Sequence, residues 1–251
     1  GQLLRNPFHV EPDVFLADFN IEVAARVVSL GPIRVTDEGR DVPADSRLNC
    51  PDPEAEARMI EEIDRIRKEG DTLGGVFRVE ASGVPPGLGD YSQPADRLDS
   101  RLAAALTSIP AIKGVEIGEG FAAADLPGSR VHDEIIREQG ILRRATNRAG
   151  GLEGGVSNGE AIILRAAMKP IPTLARPLKT VDLESGEEED ASRERADVCA
   201  LPAASRVGRA VVALELARAF LEKFGGDSLE EIRRNYDGYL KYLNEFWSSS
   251  S

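Results

Sequence analysis

The stretch SRVGRAVVALELARAFLEKFGG, residues 205–226, predicts the clearest helix in the sequence. Apolar side chains recur in it at helical spacing and share one face: Val207, Val211, Leu214 and Leu221. Such a stripe is typical of a helix that packs one face against a core. Gly225 is well suited to end the helix, because glycine readily adopts the conformation of a helix C-terminus.

Shorter segments around this helix predict strands. GGVFRVEASGVP, residues 74–85, alternates apolar and polar side chains from Val76 to Ala81, which indicates a half-buried strand. Further strands are predicted within residues 21–35, 113–121, 160–169 and 180–183. The charged residues 186–195 are predicted to form a connector.

Three other segments predict helices. Asp52 can cap a helix that has Pro53 in its first turn and ends at Gly70. Residues 95–109 predict a second helix, and a last one is expected to run from near Asp227 toward Trp247. Strands and helices alternate without a regular βαβ period, so we predict an α+β fold with sheets covered by helices.

Composition narrows the class of function. The 251 residues carry a formal net charge of -12, which disfavours general binding to nucleic acid or to an anionic membrane. The sequence contains no apolar run of transmembrane length. Its two cysteines, Cys50 and Cys199, have no metal-ligand spacing, so we expect no metal site and a reducing, cytoplasmic location. An anionic small molecule is still compatible with a local cluster of cations.

Residues 147–159, NRAGGLEGGVSNG, contain five glycines. Main-chain N–H groups without Cβ obstruction can form a nest for an anion, or let a flat ring lie against the backbone. The same composition is also typical of a mobile surface loop. Composition alone leaves both interpretations open.

Two further segments combine charged side chains with defined geometry. Lys169 follows an apolar strand and precedes two prolines, which stiffen the turn and direct the lysine away from the sheet end. Arg195 and Asp197 are two residues apart, so in an extended segment both side chains point to the same face. Such a pair can bind phosphate and accept a proton, or it can be a structural ion pair. Cys199 is interpreted as a small buried hydrophobe rather than a nucleophile.

Together these segments resemble chorismate synthase. SIPAIKGVEIGEGF, GSRVHDE, NRAGGLEGGVSNGE, KPIPT and ERADVCALPAA occur in the order and approximate spacing of that family, flanked by GVPPGLG and LEKFGGDSLEE. The resemblance covers about residues 20–235. It implies one α+β domain over residues 1–251, a β-α-β sandwich of antiparallel sheets that enclose helices, assembled as a homotetramer. Residues 244–251 are expected to be a disordered or vector-derived tail.

The resemblance also implies an activity. Chorismate synthase is a carbon–oxygen lyase of the shikimate pathway that acts on phosphates. It converts 5-enolpyruvylshikimate 3-phosphate into chorismate and phosphate by an anti-1,4-elimination. The reaction needs reduced FMN without net redox change, and NADPH or another reductant supplies the electrons indirectly.

The family's site residues carry over onto matching positions. The resemblance implies that flavin contacts come from Pro110, Ala111, Gly154, Lys169, Pro170, Ile171, Pro172, Thr173 and Arg195. It assigns the catalytic roles to Asp197, which handles a proton near flavin N5, and to Arg195. Many family members have asparagine where Pro110 stands, so no side-chain hydrogen bond is implied there. Arg148 is an additional candidate cation, on chemistry more than on family pattern.

The family's GESHG-type motif and its RxSARET motif, with two histidines and most substrate-binding arginines, have no counterpart in these 251 residues. We therefore expect this polypeptide alone to have little or no synthase activity. The alternative is a truncated or degenerate, non-catalytic family member that binds flavin or a partner.

Overall fold

The main sheet joins strands that lie far apart in the sequence. The computed structural model describes residues 11–138, 141–191 and 197–248. Within them, five strands pair in the order β2-β1-β3-β9-β4. Their bounds are Glu22–Leu30 for β1, Ile33–Arg34 for β2, Gly75–Ser82 for β3, Ile112–Ile117 for β4 and Ile162–Met168 for β9. Every neighbouring pair is antiparallel, as predicted.

Helices cover one face of this sheet. Helices α1 (Pro12–Ala17), α3 (Leu98–Thr107) and α4 (Leu201–Phe224) pack there, while α2 (Pro53–Glu69) contacts β2 and α5 (Leu229–Ser248) packs against α4. The covered sheet face is apolar and includes Val23, Val27, Phe77, Val79, Leu164 and Ala166, all buried. This arrangement confirms the α+β class. Among the described helices, none is both long enough and apolar enough to cross a membrane.

Helix α2 begins and ends where the sequence predicts. The Asp52 carboxylate accepts hydrogen bonds from the main-chain N–H groups of Glu54 and Ala55, which have no partner inside the helix. Gly70 ends the helix in the left-handed conformation at φ 74°. Local signals therefore determine both ends of this helix.

Helix α4 buries a different face from the one that its sequence pattern predicts. Val207 is 48% exposed, whereas Val212, Leu216 and Phe220 are fully buried. The helix is apolar on several sides, so periodicity alone does not select the buried face. Gly208 makes the selection, because a Cβ atom there would lie 2.4 Å from the Phe77 ring of β3. The absence of a side chain lets the helix approach the sheet closely on that side.

In the part of the chain that the structure describes, three two-stranded hairpins lie outside the main sheet. They pair β5 (Ile135–Glu138) with β6 (Ile141–Arg144), β7 (Leu152–Glu153) with β8 (Val156–Ser157), and β10 (Lys179–Val181) with β11 (Glu188–Asp190). The prediction of a connector over residues 186–195 is therefore wrong at β11, because Glu188–Asp190 pairs with the strand before it. Helix α5 continues to Ser248 and so includes the first residues of the segment 244–251 that was predicted to be a tail.

The uncovered face of the main sheet carries a row of arginines. Arg26, Arg78 and Arg165 lie directly opposite one another on β1, β3 and β9. Glu80 pairs with Arg26 and Arg78 at 3.3 and 2.8 Å, and Glu38 pairs with Arg165 at 2.8 Å. Arg26 also donates to the main-chain oxygen of residue 40 at 2.8 Å. The row thus holds the segment after β2 against the sheet.

Asn49 closes the outer edge of β1, where β2 is too short to pair. Its side-chain amide donates to the main-chain oxygen of Ala25 at 2.8 Å and to the Ser205 hydroxyl of α4 at 3.0 Å. Its own carbonyl oxygen accepts from the N–H of Val27 at 2.8 Å. These bonds satisfy backbone groups that an open strand edge would leave unpaired.

Candidate active site at one end of the sheet

Two of the predicted flavin-binding segments meet at one end of the main sheet. Strand β4 begins next to the end of β9, and Ile112 pairs with Met168. Just beyond this pair, the N–H of Lys169 donates to the carbonyl oxygen of Ala111 at 2.9 Å. The structure therefore brings Pro110 and Ala111 together with the segment Lys169–Thr173.

Ala111 has a backbone conformation that is uncommon for a residue with a side chain. Its φ is 70°, in the left-handed region. Such a conformation costs on the order of 1 kcal/mol and persists where surrounding contacts impose it. Strained residues of this kind cluster at functional sites, which agrees with the position of Ala111 beside Lys169.

The turn that follows Lys169 is held by a residue that sequence reasoning missed. The hydroxyl of Thr72, which is 8% exposed, donates to the carbonyl oxygen of Ile171 at 2.6 Å. The N–H of Arg176 donates to the carbonyl oxygen of Gly70 at 3.1 Å. The loop after α2 thus supports the proline-rich turn. No local pattern connects a threonine with a turn 99 residues later, so the sequence carried no signal for this contact.

Side-chain exposure at this turn suits a binding surface. Lys169, Pro170 and Pro172 are exposed, and Ile171 and Thr173 are half-buried. Within the described residues, Lys169 has no salt-bridge partner. Its ammonium group is therefore available to an anionic ligand.

Asp197 lies on the other side of the same supporting loop. The N–H of Leu73 donates to the carbonyl oxygen of Val198 at 2.8 Å, so the segment after Asp197 runs beside Thr72 and Leu73. Asp197 is exposed and lines a cleft of about 250 Å³. Arg47, Arg67 and Cys199 line the same cleft. Two carboxylates and two guanidinium groups thus face one concave space, and one pair of them, Asp64 and Arg67, is joined at 2.6 Å.

Cys199 does not have the properties of a nucleophile. Burial raises the pKa of its thiol, and the weaker hydrogen bond from the main-chain N–H of Leu201 does not offset this effect. The thiol therefore stays protonated at neutral pH and packs beside the core. Arg195, the other predicted catalytic residue, lies outside the described residues.

Gly154 lies elsewhere in the molecule. Gly154 and Gly155 form the two-residue turn between β7 and β8, with φ values of 62° and 93°. Two positive φ values are what a tight hairpin of this kind requires. The main chain at Gly150 bonds to Ile163, near the start of β9, whereas Lys169 follows its end. At about 3.3 Å per residue, the start and the end of β9 are about 20 Å apart. A single copy does not bring Gly154 and Lys169 together.

The structure nevertheless leaves open space at Gly154. A Cβ atom built there would meet no atom within 4 Å. This glycine therefore presents its main chain to the outside rather than to a packed neighbour. That geometry is compatible with a ligand lying against the backbone.

The start of the glycine-rich segment is fixed by Asp133 and Asn147. The buried Asp133 carboxylate accepts from the Thr146 hydroxyl and from the N–H groups of Arg148 and Ala149, at 2.8 and 2.9 Å for the two N–H groups. Burial tends to raise the pKa of Asp133, but these hydrogen bonds outweigh it and the pKa is lowered. An internal carboxylate thus already occupies the nest that these two N–H groups form.

Arg148 also has an internal partner. Its guanidinium group lies 3.5 Å from the Glu119 carboxylate, in the region of the glycine-rich segment and away from Lys169. Among the described residues, no group of three or more histidine, cysteine, aspartate or glutamate side chains could hold a metal ion.

Comparisons with known proteins agree with one another. The family model described as chorismate synthase matches residues 12–221. Chorismate synthase of Geobacter metallireducens is 54% identical over 246 residues, covering 92% of this chain and 63% of that protein. Chorismate synthase of Rubrobacter xylanophilus is 54% identical over 232 residues, covering 91% of this chain and 60% of that protein.

A solved structure described as a crystal structure of chorismate synthase is also similar. It is 39% identical, with a TM-score of 0.78 over 93% of this chain and 67% of that one. The chain thus spans about three fifths of the length of the curated relatives named above.

Proposed function

Because the chain belongs to the chorismate synthase family, we propose that it carries out the elimination of phosphate from 5-enolpyruvylshikimate 3-phosphate to give chorismate. The proposed reaction is a 1,4-anti elimination with reduced FMN as cofactor and no net redox change. The observation that carries the proposal is the meeting of Ala111, the Lys169 turn and Asp197 around one supporting loop at the sheet end. As a lyase of the shikimate pathway, the protein would act as a cytoplasmic homotetramer, with NADPH or another reductant as the indirect electron source.

The residues at the sheet end fit an anionic flavin and a phosphorylated substrate. Lys169 offers an exposed ammonium group, and Thr173 offers a hydroxyl to phosphate oxygens. Pro170, Ile171 and Pro172 form a stiff apolar surface on which a flat ring can lie. When bound, reduced FMN would supply electron density as phosphate leaves. The protein's own part is to hold the two anions and to exclude alternative orientations.

Asp197 is proposed to handle a proton near flavin N5, as the family resemblance implies. Its exposed carboxylate lines the cleft beside Arg47 and Arg67. A carboxylate accepts a proton in its ionised form. Removing the C6 proton of the substrate while phosphate leaves balances the elimination. Arg195 is proposed to bind near flavin and substrate.

Flavin binding tests the site. FMN binding to the full chain, measured by flavin absorbance with 5-enolpyruvylshikimate 3-phosphate present, should weaken about 10- to 100-fold in K169M, because one charge-assisted hydrogen bond contributes roughly 1.5–3 kcal/mol. The exposed Lys241 on α5 provides a matched control, and K241M should bind FMN like the unmodified protein. Equal affinity in the two variants would contradict the assignment of Lys169.

Turnover tests the reaction. These 251 residues alone are expected to form little or no chorismate, so turnover with reduced FMN is measured anaerobically in a protein that joins them to the family's GESHG-type and RxSARET motifs. In that protein D197N should lower kcat while FMN affinity is kept. Flavin binding without turnover there would instead indicate the non-catalytic family member considered above. Absence of FMN binding in every condition would overturn the proposal.

A further inference from the structure

Two projecting hairpins carry opposite charge. The acidic hairpin, residues 178–191, contains β10 and β11 and has six carboxylates and one lysine. The basic hairpin, residues 135–144, contains β5 and β6 and has three arginines and one glutamate. Neither hairpin belongs to the main sheet. Both are therefore candidates for contacts outside the single chain.

The acidic hairpin exposes apolar side chains that its own fold does not cover. All residues of β10 and β11 are exposed. Leu178 is 66% exposed, Val181 50% and Leu183 99%. An isolated two-stranded hairpin is at best marginally stable in water and gains stability by packing against another surface. A partner that covers these side chains would supply that surface.

The basic hairpin exposes an apolar side chain on each of its two sides, since Ile135 is 63% exposed and Ile136 39%. Arg144, directly opposite Ile135, binds Glu153 at 2.6 Å and the Asp133 carbonyl oxygen at 3.1 Å, so this arginine is held by its own chain. Ile136 lies directly opposite Arg143, on the other side of the hairpin. Arg143 is exposed and makes no ion pair with any described residue.

One cross-strand pair of each hairpin is complementary to a pair of the other. Val181 lies directly opposite Glu188 on the acidic hairpin, just as Ile136 lies opposite Arg143 on the basic one. Each pair joins one apolar side chain with one charged side chain, and the charges are opposite. Glu188 also makes no ion pair with any described residue. Two surfaces of this kind favour each other over like-charged alternatives.

The two hairpins are connected to opposite ends of the main sheet. The basic hairpin follows the end of β4 at Ile117, whereas the acidic hairpin follows the end of β9 at Met168. Because β4 and β9 are antiparallel, these two strand ends lie at opposite ends of the sheet, about 20 Å apart. This separation favours a partner for each hairpin on another molecule.

We propose that the acidic hairpin of one copy docks on the basic hairpin of a second copy, with Val181 and Ile136 in contact and Glu188 paired with Arg143. A twofold axis makes the contact reciprocal, since each copy then contributes both hairpins. The second copy is the occupant because it carries the complementary charge and apolar side chains on a hairpin of its own. This contact would be one of the interfaces in the proposed homotetramer, and it requires neither flavin nor substrate.

Charge reversal tests the pairing by sedimentation velocity. E188K and R143E should each weaken self-association at least tenfold, and the double variant E188K/R143E should recover most of it, because the swapped charges attract again. The matched control is E189K, which makes the same charge change on the opposite side of the same hairpin. It should change the association constant less than threefold.

Several outcomes would overturn the proposal. They are a monomeric unmodified chain at all concentrations, a double variant no better than the single ones, or equal effects of E188K and E189K. A second measurement covers variants that fold poorly. A mixture of V181C and I136C proteins should form disulfide-linked pairs with oxidised glutathione, and a mixture that forms none also contradicts the contact. FMN binding of E188K should be unchanged, which separates this test from that of the proposed reaction.

Discussion

Replacing Thr72 by valine should loosen the turn that presents Lys169. The Thr72 hydroxyl is nearly buried and donates a 2.6 Å hydrogen bond to the carbonyl oxygen of Ile171. T72V keeps the shape of the side chain but leaves that carbonyl without this donor, which costs about 1–3 kcal/mol. The added methyl group returns up to about 0.8 kcal/mol through burial. The expected net loss in the free energy of unfolding is about 1–2 kcal/mol.

Urea unfolding followed by circular dichroism measures this loss. The matched control is T107V, because the exposed Thr107 hydroxyl bonds only to its own helix, at 2.9 and 3.0 Å from the carbonyl oxygens of residues 103 and 104. Its unfolding free energy should change by no more than about 0.5 kcal/mol. T72V should also weaken FMN binding, since the turn that carries Lys169 loses its support. Equal stability and equal FMN affinity in T72V and T107V would refute this reasoning.

Three further changes have defined outcomes. D133N should lower the free energy of unfolding at neutral pH and make it less dependent on acid. Because the pKa of Asp133 is lowered in the folded state, the carboxylate contributes stability above about pH 4 and loses that contribution as pH falls through the folded-state pKa. Parallel pH–stability curves for D133N and the unmodified protein would contradict this expectation. F220A should cost about 3–5 kcal/mol in thermal or urea unfolding, because Phe220 is fully buried and its ring centroid lies 4.5 Å from that of Phe19. G154A should weaken FMN binding. The control is G186A, because Gly186 also has a positive φ and open space around its Cβ position, and this variant should bind FMN like the unmodified protein. Equal affinities of the two variants would argue against a backbone contact at Gly154.

The sequence predicted most of the secondary structure because the signals are local. The ends of α2 are marked by residues at those ends, namely Asp52, Pro53 and Gly70. The alternation of apolar and polar residues from Val76 to Ala81 matches the pattern of buried and less buried residues in β3. The buried face of α4 was not predictable in the same way. It depends on Gly208 meeting Phe77, which are 131 positions apart, and no periodicity carries that information.

The candidate site was predictable only in part. The motifs identified Ala111, the Lys169 turn and Asp197, and the structure places them around one loop. Thr72, which holds that loop and turn together, has no motif. The assignment of Gly154 to the same cofactor stays a prediction, because a single chain separates it from Lys169 by the length of β9.

Asn49 couples the edge of the sheet to the helix layer. Its side-chain amide donates to Ala25 and to Ser205, and its main-chain carbonyl oxygen accepts from the N–H of Val27. The segment around Asn49 therefore cannot separate from the sheet without breaking all three hydrogen bonds. Amide hydrogens of this edge should therefore exchange with solvent only in the rarer openings that also expose the first turns of α4. A strand border that usually frays would behave as part of the slowest-exchanging unit of the protein.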